Sequence, residues 1–195
     1  MSLNTPIRQW VQQIKADIHQ ILISHRKVIV HRCKTACICA QLQAFHNSIQ
    51  KFVNPNQIVS PNEHTEIQRL IKLIKSLSDL FLSLSEGQYL ETILNHERDY
   101  ILCKLRNFRK EFNKLALSLR FAESEPFPIN LQQEVIDDLA DLTEISECLK
   151  FVNEEGGIPS KYMSTYMSIV SQIESKINVY MVQDDDYSKQ NDIDK

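Results

Sequence analysis

The stretch of sequence that decides the fold is ILCKLRNFRKEFNKLALSL, residues 101–119. Its large apolar residues recur at steps of four, three, four, three and four: they are Ile101, Leu105, Phe108, Phe112, Leu115 and Leu119. This period places them on one face of an α-helix, and the alternation of steps is typical of helices packed side by side. We therefore expect residues 101–119 to form one helix of an all-α bundle.

Three more helices are predicted before this one. Apolar residues at helical spacing cover residues 7–21, 29–44 and 67–84, and the stretch from Ser60 to Glu63 has the pattern of an N-terminal capping box. The apolar stripe predicted for the second helix consists of Ile29, Cys33, Ala36, Ala40 and Ala44. The scarcity of glycine, with 3 residues in the chain, argues against a sheet joined by tight turns.

Two further helices are predicted after Pro128. The fifth helix begins after the cap residue Asn130, with the apolar stripe Leu131, Val135, Leu139, Leu142, Ile145, Leu149 and Val152. The sixth runs over about 160–181. The sequence thus predicts an all-α fold, with a four-helix bundle at 1–124 followed by a two-helix brace at 129–182 and a disordered acidic tail at 183–195. A short helical turn is also expected at 89–94, before a cap at Asn95.

The charge of the chain is divided into two blocks. Residues 1–121 carry 17 Lys and Arg against 9 Asp and Glu, a net charge of +8, whereas residues 122–195 carry 5 against 16, a net charge of −11. Such asymmetry indicates either an anionic partner for the basic half or an electrostatic interaction within the chain.

The basic residues form two clusters that are candidates for binding an anionic surface. They are Arg26, Lys27, Arg32 and Lys34 in the first cluster, and Lys104, Arg106, Arg109, Lys110 and Lys114 in the second. Members of the second cluster fall outside the apolar stripe of the fourth helix. They are therefore expected on its surface, either as a lipid- or partner-binding face or as an ordinary solvated face. Binding to nucleic acid is not expected, because the pI is about 6.1 and no aromatic residues are interleaved with the basic ones.

The fifth helix carries acidic residues outside its apolar stripe. They are Glu134, Asp137, Asp138, Asp141, Glu144 and Glu147. The simplest interpretation is a solvated face, since carboxylates are mostly exposed. A second hypothesis is that this acidic face restrains the basic bundle.

Signals of catalysis and metal binding are missing from the sequence. It contains no glycine-rich phosphate loop and no hydrolase or metalloprotease motif, and Cys33, Cys37 and Cys39 do not have the spacing of zinc ligands. We therefore expect no enzymatic activity, no cofactor and no metal. An odd number of cysteines, 5, and an opening without an apolar leader favour the reducing cytoplasm.

The order of these elements resembles the N-terminal domain of mixed-lineage-kinase-domain-like pseudokinases and related tyrosine-kinase-like proteins. The resemblance covers about residues 1–180 and lies in hydrophobic pattern and lengths. It is carried by His31-Arg32-Cys33 and the small residues up to Ala40, Leu80-Phe81, Tyr89-Leu90, Leu105, Phe108, Phe112 and the stretch from Leu115 to Phe121.

This resemblance implies a four-helix bundle with a two-helix brace and a kinase or pseudokinase domain C-terminal to it. It also implies one of two roles. In the first, basic residues of the bundle bind anionic phospholipid and permeabilise membranes, as in necroptosis-like cell death. In the second, the domain is an adaptor that recruits protein partners or forms homo-oligomers without any role for lipid.

Overall fold

The computed structural model describes residues 6–28, 30–51, 53–54, 58–85 and 98–193, and their side chains except at 85, 98, 99 and 180–193. These residues form six helices: α1 (Ile7–Ser24), α2 (Arg32–Ser48), α3 (Pro61–Ser85), α4 (Arg98–Ser118), α5 (Leu131–Glu154) and α6 (Met163–Ile193). No strand occurs among the described residues, where one isolated bridge joins Pro6 to Ile58. The prediction of an all-α fold is confirmed.

The chain divides into two compact units. Within the described ranges, the first unit comprises residues 6–28, 35–85 and 98–129, and the second comprises residues 30–34 and 130–193. The first turn of α2 therefore belongs with α5 and α6, which no periodicity in the sequence indicates. The predicted turn at 89–94 and the cap at Asn95 lie outside the described residues.

Two helix starts are set by side chains that the sequence identifies. The main-chain N–H of Ser60 donates to Glu63 Oε2 over 2.8 Å, and the Glu63 N–H donates to Ser60 Oγ over 3.3 Å, which completes the capping box before α3. The Asn130 side chain accepts hydrogen bonds from the main-chain N–H groups of Gln132 and Gln133 at the start of α5.

The core of the first unit is built from the predicted apolar stripes of α1, α3 and α4, which are buried along their lengths. The helix α3 packs against both α1 and α4. Between α1 and α3, the Trp10 and His64 rings meet edge to face with centroids 5.3 Å apart. These stripes consist mainly of large aliphatic and aromatic side chains, whose burial supplies roughly 1.5–3 kcal/mol each.

In α2 the predicted stripe is wrong at its three alanines, and its first member, Ile29, lies outside the described residues. Ala36, Ala40 and Ala44 are exposed. The buried face instead carries Thr35, Ile38, Cys39, Leu42 and Phe45. Large side chains remove more apolar area from water than alanine does, so they decide which face of the helix turns inward.

In the connection from α4 to α5, Phe127 packs against α4 and hydrogen-bonds to it. Its main-chain N–H donates to Asn113 Oδ1 over 2.9 Å, and Asn113 Nδ2 donates to the Phe127 carbonyl oxygen over 3.0 Å. The Phe127 ring is fully buried, with its centroid 4.7 Å from that of Phe112 and 5.5 Å from that of Phe108. The chain therefore leaves the first unit from a fixed point just before α5 begins.

In the second unit, α5 packs against α6. The buried apolar residues of the two helices are Leu142, Ile145, Leu149, Tyr166 and Ile173. The helix α6 continues to Ile193, whereas the sequence indicates an irregular acidic tail from residue 183. Once a helix has formed, each added residue gains a backbone hydrogen bond, so an acidic composition alone does not end it.

Candidate functional site

The first turn of α2 follows a residue that is not a usual N-cap. His31 precedes the first helical residue, Arg32, and has a left-handed backbone with φ of 55°. Its side chain is not among the short polar acceptors that usually cap a helix. The first main-chain N–H groups of any helix have no partner within the helix, so an acceptor outside its backbone has to satisfy them.

Asp141 of α5 supplies that acceptor. Its Oδ1 accepts a hydrogen bond from the Cys33 main-chain N–H over 2.8 Å, and its Oδ2 accepts one from the Lys34 N–H over 3.2 Å. His31 Nδ1 lies 3.9 Å from Oδ2. The carboxylate is 2% exposed and stands where the helix dipole favours negative charge. Asp141 thus caps a helix that begins more than a hundred residues earlier in the chain.

The burial of this carboxylate has an electrostatic consequence. Burial raises the pKa of Asp141, the hydrogen bonds from Cys33 and Lys34 lower it, and the nearby charge of Glu144 raises it further, with a net upward shift. Burial likewise raises the pKa of the Cys33 thiol, and the negative charge of Asp141 adds to that rise. Cys33 is therefore kept as a thiol and is not an activated nucleophile.

Lys34 is held by two other carboxylates of α5. Its Nζ lies 2.8 Å from Glu134 Oε2 and 3.1 Å from Asp138 Oδ1, with the lysine side chain 8% exposed. A lysine this deeply buried is stable only when it is paired. Arg32 pairs with Glu144 at 3.1 Å, but both side chains are well exposed and the pair contributes little.

We call this set of contacts the clasp. Its members are Arg32 and Lys34 with the Cys33 amide on α2, and Glu134, Asp138, Asp141 and Glu144 on α5.

The clasp corrects the interpretation of α5 as a helix with a solvated acidic face. Asp137 is 9% exposed and accepts a hydrogen bond from Gln133 Nε2 over 2.8 Å, while Glu147 is exposed as expected. Conversely, Leu131 is 77% exposed and Val135 38%, although both belong to the predicted apolar stripe. The helix dipole of α2 and the Lys34 ammonium attract the acidic side of α5, so the first two turns present carboxylates rather than leucine and valine inward.

The structure places the predicted basic residues in several different environments. Arg32 and Lys34 belong to the clasp, and Arg26 and Lys27 are exposed directly after α1. Arg109 is not a surface residue, because it is only 6% exposed.

Arg109 points into the first unit. Its Nη2 lies 3.3 Å from Cys37 Sγ and 3.3 Å from Gln41 Oε1, both on α2. A signal in the sequence could have identified this position, since Arg109 follows Leu105 by four residues and precedes Phe112 by three. It therefore shares the flank of the buried face, where the small Cys37 leaves room for a long side chain.

The remaining basic residues of α4 form an exposed row, which we call the α4 basic stripe: Arg106, Lys110 and Lys114. They recur every four residues on the face opposite the core. Within the described part of the chain, none of the three makes an ion pair or a side-chain hydrogen bond. Lys104 is also exposed, but on another side of α4, with its Nζ 4.7 Å from the centre of the Tyr100 ring.

Among the described residues, no group of three His, Cys, Asp or Glu side chains is arranged to hold a metal ion. No helix in the described ranges combines the length and the apolar character needed to cross a bilayer.

Comparisons with protein-family models, with curated proteins and with solved structures gave no significant match to this chain. The resemblance to pseudokinase N-terminal domains therefore stays a prediction.

Proposed function

We propose that this chain is a non-catalytic regulatory domain that binds anionic phospholipid surfaces through the α4 basic stripe. The observation that carries the proposal is an exposed row of Arg106, Lys110 and Lys114 with no carboxylate partner in the described residues. Each basic residue close to anionic lipid contributes about 1 kcal/mol, so three supply a partition gain of about a hundredfold.

The clasp supports a regulatory role for the second unit. Lys34 is almost completely withdrawn from solvent between Glu134 and Asp138, and Arg32 faces Glu144. While α5 holds it, Lys34 contributes little to an anionic surface, whereas Arg32 stays exposed. Detachment of α5 would expose the Lys34 ammonium, and the affinity for anionic lipid would rise.

The proposal is also consistent with the pseudokinase resemblance. In that setting the domain lies N-terminal to a kinase or pseudokinase domain in the cytoplasm and is recruited to a membrane by a signal that opens the clasp. Permeabilisation of the membrane is a further step that the proposal does not require.

Co-sedimentation of the full chain with phosphatidylserine vesicles tests the proposal. The triple charge reversal Arg106→Glu, Lys110→Glu and Lys114→Glu should abolish binding at low salt. A matched control reverses three exposed cations of α1 and α3, namely Arg8→Glu, Lys72→Glu and Lys75→Glu, with the same change in net charge.

The control should retain most of the binding. Equal loss in both triple variants would show that net charge alone governs association and that the stripe is not the site. Failure of the wild-type chain to bind at low salt would refute the proposal outright.

A second candidate function is a protein-interaction module. It is favoured by large apolar side chains exposed in the second unit, among them Ile136 at 59%, Phe151 at 63% and Met167 at 61%. Exposed apolar patches mark sites of association. Self-association that persists at high salt and weakens in a Phe151→Ser variant, measured by sedimentation velocity, would support this function over lipid binding.

A further inference from the structure

The geometry of the α4 basic stripe bears on which kind of anionic ligand it can take. Five exposed residues follow one another on this face at steps of three, four, four and three: Cys103, Arg106, Lys110, Lys114 and Leu117. Neighbouring cations in such a row are about 6 Å apart at their Cβ atoms. The whole row from Arg106 to Lys114 covers about 12 Å along the helix axis.

This arrangement does not converge on one point. A site for a single phosphate group brings several donors within hydrogen-bonding distance of the same oxygens, commonly with a bidentate arginine. The cations of the stripe instead project side by side from the convex surface of a helix. Each one is therefore placed to meet a different anion, as the separate headgroups of a bilayer provide.

An apolar group lies at one end of this row. Leu117 is 38% exposed and falls on the same face one turn beyond Lys114. Tyr100, in the first turn of α4 and about 120° around the helix from Arg106, is 52% exposed and lies beneath the Lys104 ammonium. Exposed leucine beside lysine and arginine, with tyrosine on the same helix, is typical of a helix lying in a membrane interface, where the cationic side chains extend their charged ends toward the headgroups.

We infer that α4 lies lengthwise on an anionic bilayer and senses its surface charge density, without selecting a particular phosphorylated headgroup. This inference rests on the proposed lipid-binding function and specifies its ligand. Under this inference phosphatidylserine and a phosphoinositide are equivalent whenever they give the surface the same potential.

The test compares binding of the full chain to three vesicle types: phosphatidylcholine alone, phosphatidylcholine with phosphatidylserine, and phosphatidylcholine with phosphatidylinositol bisphosphate. The two anionic types are matched in zeta potential. We expect equal partition into both and none into phosphatidylcholine alone. Soluble inositol trisphosphate should compete no better than sulfate at the same ionic strength.

Single substitutions test whether one cation of the stripe contributes equally to binding of both anionic vesicle types. Lys110→Gln should lower partition into both anionic vesicles by the same factor of about five, which corresponds to about 1 kcal/mol. Lys110→Arg should retain the wild-type value. Lys75→Gln, at an exposed cation of α3, should change partition much less.

The lengthwise orientation has its own readout. Indole fluorescence of a Leu117→Trp variant should be quenched by vesicles with brominated acyl chains. A matched Leu82→Trp variant, at a residue that is 43% exposed on α3, should not be quenched.

The outcomes separate the inference from the proposed function. Binding that needs phosphatidylinositol bisphosphate, or that soluble inositol trisphosphate displaces, would overturn the inference and leave lipid binding intact. Quenching at position 82 but not at position 117 would place a different face on the bilayer and also overturn it. Absence of binding to every anionic vesicle would refute both.

Discussion

Replacement of Asp141 by alanine should destabilise the second unit by about 2 kcal/mol. The change removes the acceptor of the Cys33 and Lys34 main-chain N–H groups. Loss of a helix cap costs about 0.5–2 kcal/mol, and a buried donor left without a partner costs about 1–3 kcal/mol. Relief from burying a carboxylate offsets part of this loss, which keeps the expected total near 2 kcal/mol.

Two measurements test this prediction. In urea unfolding the transition midpoint should fall by about 1 M, given a slope of about 2 kcal/mol per molar urea. In native-state hydrogen exchange the amides of Cys33 and Lys34 should lose protection by at least about tenfold, since 1.4 kcal/mol corresponds to a factor of ten. Hydrogen exchange is needed beside urea unfolding, because a general loss of stability would not lower protection at the first turn of α2 in particular.

The control is Glu147→Ala, at an exposed carboxylate two turns further along α5. It should change stability by less than about 0.5 kcal/mol and leave both amides protected. If Asp141→Ala behaved like this control, capping of α2 by α5 would be refuted.

Three further predictions concern the Asn113 hydrogen bonds, the titration of Asp141 and the reactivity of the cysteines. Asn113→Ala removes both hydrogen bonds to the Phe127 main chain and should cost about 2 kcal/mol in urea unfolding. Because burial raises the folded-state pKa of Asp141, the folded chain binds that proton more tightly than the unfolded chain does. The wild type should therefore gain stability over Asp141→Asn as the pH is lowered from 7 toward about 4, measured by urea unfolding at several pH values. The exposed Cys103 should react with a thiol reagent at pH 8 at least about a hundredfold faster than Cys39, whose pKa burial raises to about 12, as followed by mass spectrometry.

Each of these has an outcome that would contradict it. Asn107→Ala, at an exposed asparagine of the same helix, is the control for Asn113, and an equal loss in both variants would mean that the Phe127 contact is not special. A stability gap between wild type and Asp141→Asn that does not change with pH would argue against the raised pKa. Rapid labelling of Cys39 in the folded chain would contradict its burial.

The helices of the first unit follow closely from sequence periodicity where the stripe consists of large side chains. The six residues from Ile101 to Leu119 that set the period of α4 are all buried, the last of them directly after the end of the helix. The same reasoning places the stripe of α2 on the wrong face, because its alanines gain little from burial. Periodicity predicts the buried face of a helix only when the residues on that face gain more free energy from burial than the residues on the other faces do.

The clasp could not be predicted from sequence because its central hydrogen bonds go to main-chain N–H groups at the start of α2. The partner of Asp141 is a pair of backbone N–H groups, which every residue except proline carries, so no residue type marks their position. Lys34 and Glu134 were both identified as candidates, but nothing in their spacing indicates that they pair. Arg109 shows the opposite case, because its position between Leu105 and Phe112 does contain the information that it is buried.

The cap from Asp141 to α2 also constrains when the chain can complete its N-terminal part during synthesis. Lys34 and Asp141 are separated by 107 residues, which takes about 5–20 s to translate at ordinary rates. Until Asp141 emerges, the first turn of α2 lacks its acceptor and Lys34 lacks its carboxylates. We therefore expect a ribosome-bound nascent chain to carry a frayed α2 and an uncompensated basic surface for several seconds, and a chain truncated before Asp141 to keep that state permanently.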